Sequence, residues 1–363
     1  MQGSRTDERG RTLALAVALG VAVPVLAVAA VRCGSTDSVP DLATALRGAL
    51  AALHLGPPLA APDLQAIVAL RLWRALTAAG VGAALGYSGA LIQGLFRNDL
   101  ASPGILGISS GASLGAACAV LLFGGYGPNL AVRASAALPS LVAIPLFAFV
   151  GALGTGALVW VLATSKGRVS IPALLLIGIA VNTFIGGLLQ LVQSLVIGDW
   201  EVSRSILAWT FGTLDGRLAW HAATVWIALA LTLCVVPFVA WELDLMQAGL
   251  EDAAALGVHT VRVRWLALTA ASLAAAASVA VAGEIAFVGL VIPHVVRALS
   301  GPSHKSLLLL SALAGASFLL GADLAQTVFL RGIALQPGVV MSLVGGPFFV
   351  LLLWRRRREL GVW

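Results

Sequence analysis

Apolar runs of about 20 residues, separated by short polar turns, recur along the whole chain. That is the length needed to cross a hydrocarbon core of ~30 Å, and taken in order the runs predict ten spans. The first covers residues 12–31 and follows Arg5, Arg9 and Arg11. It is longer than the ~7–15-residue core of a cleaved signal, so it reads as a retained span. A polar, proline-bearing stretch, 32–65, comes next, and its amphipathic piece at 41–53 predicts a short surface helix. The second to fifth spans are predicted at 67–93, 104–123, 136–163 and 171–196. An element at 205–214 is too short to cross. The sixth to tenth spans are predicted at 220–239, 266–281, 283–297 (interrupted at Pro293), 307–329 and 339–354.

One stretch departs from this pattern. Residues 241–265 hold four acids, two arginines and a histidine in a chain that is only 10% charged. Leu243, Met246, Leu250, Ala254 and Leu256 recur at roughly helical spacing, which predicts short amphipathic helices at about 242–260. Gly257 supplies a helix stop, since glycine adopts the left-handed conformation that closes a helix. The stretch reads as a folded platform that docks something.

Glycines at four-residue spacing line single helix faces: Gly82 and Gly86 in the second span, and Gly107, Gly111 and Gly115 in the third. Such spacing suits close helix packing in lipid. The fifth span carries polar groups at membrane depth: Asn182, Gln190 and Gln193. Asn182 and Gln193 share a face, with Gln190 beside Gln193. They read either as interhelical hydrogen-bonding groups or as the lining of a translocation path.

With 60% hydrophobic residues and a mean hydropathy of +0.99, the class is an all-α polytopic membrane protein, one transmembrane domain over 1–363. The formal charge of +6 does not point to nucleic acid. The basic residues sit at the ends of apolar runs, and the ten-span assignment puts 14 of the 22 on the platform side against 8 opposite. That bias predicts a cytoplasmic platform and cytoplasmic termini, with lipid around the chain. Cys33, Cys118 and Cys234 are too scattered for a disulfide framework or a metal site.

Chemistry-bearing motifs are sparse. The sequence has no phosphate-binding Gly-x-x-x-x-Gly-Lys-[Ser/Thr] loop and no His-Glu-x-x-His. No catalytic residue and no metal site are predicted. His294 beside Pro293, with Glu284 ten residues earlier, would need further ligands to hold a metal. Asp323, inside the ninth span and without an evident basic partner, reads as a structural acid or a proton-coupling carboxylate.

Several long stretches, in order, resemble the FecCD-type permeases that import iron chelates and vitamin B12. They are RLWRALTAAGVGAALGYSGALIQGLFRN from Arg71, LASPGILGISSGASLGA from Leu100, EDAAALGV from Glu251, FVGLVIPHVVRALSGPSHKSLL from Phe287, GASFLLGADL from Gly315 and GGPFFVLLL from Gly345. The resemblance implies a type II ABC importer permease of the bacterial inner membrane, with ten helices per subunit. It implies a homodimer with the path at its interface, and two ATP-binding cassette ATPases that hold the ATP and Mg while this chain binds no cofactor. A periplasmic or lipid-anchored substrate-binding protein completes the assembly.

Residue by residue, Glu251, Asp252, Ala255, Leu256 and Gly257 match the coupling helices that dock on the ATPase. Arg71 and Arg74 match arginines that contact the binding protein, and Arg331 lies near a third. Asn98, Leu100 and Ser170 match positions near the cytoplasmic gate. The chain departs from the family at Asn98-Asp-Leu-Ala-Ser-Pro103, where the pattern is Asn-Pro-Leu-Ala-Asp-Pro, and at Ala334-Leu-Gln-Pro-Gly338, which lacks the usual acid. The function expected is import of an iron chelate, haem or a ferric siderophore, by alternating access. The alternatives are a vitamin B12 importer or, from another class, a proton-coupled carrier using Asp323.

Overall fold

A computed structural model describes residues 2–34, 39–123, 138–165, 168–169, 171–330 and 335–356. The elements are helical apart from a two-residue ladder, β1 (Thr164–Ser165) against β2 (Arg168–Val169). The helices are α1 (Gln2–Arg32), α2 (Leu42–Ala52), α3 (Pro62–Phe96), α4 (Ile108–Phe123), α5 (Leu138–Ala163), α6 (Ile171–Leu195), α7 (Trp200–Thr210), α8 (Ala219–Leu233), α9 (Val236–Ala248), α10 (Leu250–Ala255), α11 (Thr260–Ala282), α12 (Val288–Ser300), α13 (His304–Phe329) and α14 (Pro337–Arg356).

Among the described residues six helices are long and apolar enough to span alone, and α8 with α9, bent by 58°, makes a seventh. Counting α4, α12 and α14, which are apolar but shorter, gives the ten expected.

α3 is the axle. It is buried continuously from Thr77 to Phe96 and packs on α13, α11, α12, α8 and α1. Lipid is as apolar as leucine, so tight approach of small residues must replace hydrophobic segregation as the source of packing energy. A Cβ on Gly82 would overlap the carbonyl of Gly315, and one on Gly315 the carbonyl of Gly82; a turn later Gly86 backs on Ser311. Gly111 and Gly151 make the same reciprocal approach between α4 and α5. Two polar side chains of α3 at depth are satisfied by backbone: Ser88 Oγ donates to Ala271 O at 2.7 Å, and Tyr87 Oη to Thr232 O at 2.7 Å.

Three expected spans are built differently. The third begins with a single 3-10 turn, Pro103–Leu106, and Gly107 at φ +77° turns the chain into α4. The eighth is not interrupted at Pro293, which is buried inside α12; the break falls upstream, where Gly283 and Phe287 take φ +71° and +66°. A proline at this position leaves the carbonyl four residues earlier without a donor. That carbonyl, of Gly289, is the atom Gly89 of α3 packs against, while Gln93 Nε2 donates to the neighbouring Leu290 O at 3.1 Å. The sixth breaks at 234–235, so the platform's first half is the lower limb of a bent span. The short element expected at 205–214 is α7, which starts earlier, capped where Val202 N–H donates to Asp199 Oδ1 at 3.1 Å.

The glycine contacts predict that Gly82→Ala and Gly315→Ala each destabilise by roughly 1–3 kcal/mol through overpacking. Thermal unfolding in detergent should show a lowered midpoint for both. Gly154→Ala, in open space on α5, should leave the midpoint unchanged or raise it.

Candidate functional site

Polar chemistry concentrates at the two ends of the bundle. The platform end is built on α9. Val236, Val239, Ala240, Leu243 and Met246 form its buried face, at the spacing of an amphipathic helix. α10 follows after Gly249 and closes as the sequence predicted. Val258 N–H donates to Ala253 O and Gly257 N–H to Ala254 O, both at 3.0 Å, with Gly257 at φ +87°. This is the paired cap that needs a left-handed residue.

Ala253 is the buried residue of α10. Ala254 and Leu256, expected on the apolar face, are exposed, and Leu256 is 70% accessible. Glu251, Asp252, Ala255, Leu256 and Gly257 thus form one continuous exposed surface, two acids beside an uncovered leucine.

Two contacts fix this platform to the bundle. Asp244 of α9 reaches the start of α13: His304 N–H donates to Asp244 Oδ1 at 2.9 Å, and His304 Nδ1 lies 2.6 Å from the same oxygen. His304 is 2% exposed, and because a carboxylate only accepts, its Nδ1 is the donor to Asp244. The acid of one helix caps the N-terminus of another. Gln247 Nε2 donates to Gly94 O at 3.2 Å, and Arg97 Nη2 to Gln247 O at 3.0 Å, which joins α9 to the end of α3.

The departure at Asn98-Asp-Leu-Ala-Ser-Pro103 has a structural consequence. Arg97 closes α3 in the left-handed conformation at φ +51°, a position glycine takes more cheaply. Asn98 Oδ1 accepts Leu100 N–H at 2.9 Å, setting the turn. Asp99 then pairs with Arg297 near the end of α12, and Arg297 also reaches Gln93 Oε1 at 3.5 Å. Asn98 and Leu100 therefore sit within one ion-paired turn. Ser170 lies outside the described residues, beside β2.

At the far end, Asp323 has the basic partner that the sequence did not reveal. Arg74 Nε and Nη2 grip its two carboxylate oxygens at 2.9 and 2.8 Å, and Arg74 Nη1 also pairs with Asp215 in the turn before α8. Arg71 is buried, donating through Nη1 to Arg32 O at 2.7 Å and Val31 O at 3.3 Å. Neither guanidinium is presented free to the outside. Arg71, Arg74 and Asp323 line one cavity of about 160 Å³ with Cys33 and Thr327. Arg331 lies outside the described residues.

The polar groups of α6 separate. Asn182 Nδ2 donates to Gly104 O at 3.1 Å, and Ser110 Oγ lies 2.5 Å from Asn182 Oδ1, so Asn182 braces α6 on α4 and the turn before it. Gln190 is exposed and Gln193 half-buried, on a helix with little of its surface covered by the rest of the chain. Glu284 falls in the break before α12 and His294 inside it; among the described residues no group of three or more His, Cys, Asp or Glu side chains comes together.

Asp215, Asp244 and the Asp99–Arg297 pair were missed in the sequence. No sequence signal marked Asp244: Ser303 stands where the cap of α13 is expected, and only the structure shows that it makes no side-chain cap bond and that Asp244 takes its place.

The FecCD transport family model matches residues 15–355. The chain is 37% identical over 358 residues to the cobalamin import system permease of Halobacterium salinarum, covering 96% of this chain and 89% of the relative. It is 36% identical over 294 residues to the hemin transport system permease of Yersinia pestis, covering 80% and 83%. A solved chain described as of the metal-chelate ABC transporter type, inward-facing, superposes with a TM-score of 0.76 at 28% identity, covering 93% of this chain and 98% of that one.

Removing one partner from a desolvated ion pair leaves an uncompensated charge. Arg74→Met should therefore cost roughly 2–4 kcal/mol, discounted because the Arg74 side chain is 26% exposed. Asp323→Asn should cost a comparable amount. Restoring a neutral site with the double replacement should recover part of the loss in thermal unfolding. A silent Asp323→Asn would contradict the pairing.

Proposed function

The chain belongs to the FecCD transport family, and on that footing we propose that it is the transmembrane subunit of an ATP-driven importer for a bulky metal chelate. The iron chelates, haem or a ferric siderophore, are the first reading of the cargo. The 37% identity to a cobalamin permease favours a corrinoid as the second. The chain works as a homodimer in a bacterial inner membrane, platform and termini in the cytoplasm, with two cassette ATPases below and a substrate-binding protein above.

The observation that carries this reading is α10. It displays two acids and a 70% exposed leucine on a helix whose anchor, α9, is tied to α13 through Asp244 and His304. A sequence without a nucleotide-phosphate loop has no hydrolysis of its own for such a surface to serve. When the cassettes close on ATP, a push on Leu256 and Glu251 is passed along α9 to the base of α13 and to α3. The path then opens and closes between paired subunits, along α6 with Asn182, Gln190 and Gln193. The ion-paired turn of Asn98, Asp99 and Leu100 is the cytoplasmic gate, together with Ser170.

On the far face, an acidic binding protein takes the place of Asp215, whose side chain is 79% exposed, on Arg74. Arg331 completes that contact region, and Arg71, buried against Val31 and Arg32, supports it from beneath. A proton-coupled carrier built on Asp323 is disfavoured by the bidentate arginine on that carboxylate.

The test is ATPase activity of the complex reconstituted with its cassette and binding protein. Leu256→Asp and Glu251→Lys should abolish stimulation by the binding protein while the permease still unfolds at the wild-type temperature. Unchanged stimulation would overturn the docking role of α10. In the same preparation, Asp215→Asn should raise binding-protein affinity several-fold, more at low salt.

A further inference from the structure

The amphipathic helix between α1 and α3 has no part in the transport scheme above, yet its surface is divided into three sectors. Ala45 and Gly48 are buried, and with Ala49 and Ala52 they pack on Val68, Leu64 and Leu72 of α3. Leu42, Leu46 and Leu50 form a stripe at four-residue spacing that the described residues leave 44–48% exposed. Arg47 and Ala51 occupy the remaining flank, Arg47 exposed. The helix is well defined at its start, where Thr44 N–H donates to Asp41 at 3.4 Å.

Its depth is fixed by its neighbours. Val31, in the last turn of α1, belongs to the same small cluster as Ala45, Val68 and Leu72. The apolar part of α1, Gly10–Arg32, is 23 residues, about 34 Å at a rise of ~1.5 Å per residue. That is close to the ~30 Å of a hydrocarbon core, so Val31 marks the boundary and α2 lies at it. The neighbouring elements also expose apolar side chains: Val17, Val21 and Val25 of α1 are 57–60% exposed, and Leu70 of α3 is 49% exposed.

We propose that α2 is an interfacial helix that lies in the far-side leaflet, with Leu42, Leu46 and Leu50 among the acyl chains and Arg47 at headgroup level. An amphipathic helix with a basic polar flank binds a bilayer surface in this way. Its small-residue face, packed on α3 beside Arg71 and Arg74, would let the leaflet hold the far end of α3 in place.

Nitroxide accessibility on the full-length protein in phosphatidylethanolamine–phosphatidylglycerol nanodiscs tests this. Cys33, Cys118 and Cys234 are first replaced, and single labels are placed at Leu46→Cys or Arg47→Cys. The label at 46 should show an oxygen-to-nickel accessibility ratio several-fold above that at 47, and the same ratio with or without a binding protein. Equal, water-like ratios at the two positions would overturn the proposal. So would a label at 46 that is wet in the bilayer and protected only when a binding protein is added, or only when two copies pair. Both labelled positions are exposed, so neither variant disturbs the packed face, and position 47 controls for folding within the same helix.

Discussion

The reciprocal contact of Gly82 with Gly315, continued by Gly86 on Ser311, is the constraint on which the bundle rests. In lipid no hydrophobic effect drives one helix against another, so the packing energy comes from backbones brought close enough for dispersion and weak Cα–H···O contacts. That closeness makes α3 and α13 a single stiff pair. The same principle seats α4 on α5 through Gly111 and Gly151, and α3 on the proline-freed carbonyl of α12 through Gly89.

Each end of the stiff pair carries an ionic fixture. At one end Arg74 of α3 grips Asp323 of α13, closing the pair against shear. At the other, Asp244 of α9 caps α13, and Gln247 with Arg97 joins α9 to α3. α9 is therefore an arm rooted in the frame, with α10 as its outer tip. The bend of 58° between α8 and α9 makes that arm the lower limb of a bent span, with α10 following at its end. In the proposed transport scheme, force applied to Leu256 would be delivered to the pair that Gly82 and Gly315 lock together.

The span count, the charged platform and the Gly257 stop were legible because each depends on local signals: run length, charge interruption and the left-handed requirement of a helix cap. Which platform residues are exposed was not, since helical spacing placed Ala254 and Leu256 on the apolar face. The breaks were also less legible. Pro293 looks like an interruption in sequence, yet α3 supplies a glycine to shelter the orphaned carbonyl, so the helix continues and bends its path upstream at Gly283 and Phe287 instead. Asp323 and Arg74 are 249 residues apart, and nothing in either neighbourhood names the other. Apolar helices bury residues all round, so periodicity could not tell that Asn182 turns to α4 while Gln190 stays uncovered.

The central claim is that movement of the path is driven by ATP through the platform. Uptake of a radiolabelled metal chelate into proteoliposomes holding this chain, its cassette ATPase and its binding protein addresses it directly. The account predicts uptake that requires all three proteins and ATP inside the contact face of the cassette, and that persists when the proton gradient is dissipated. Uptake by this chain alone, driven by a pH gradient without ATP, would contradict it.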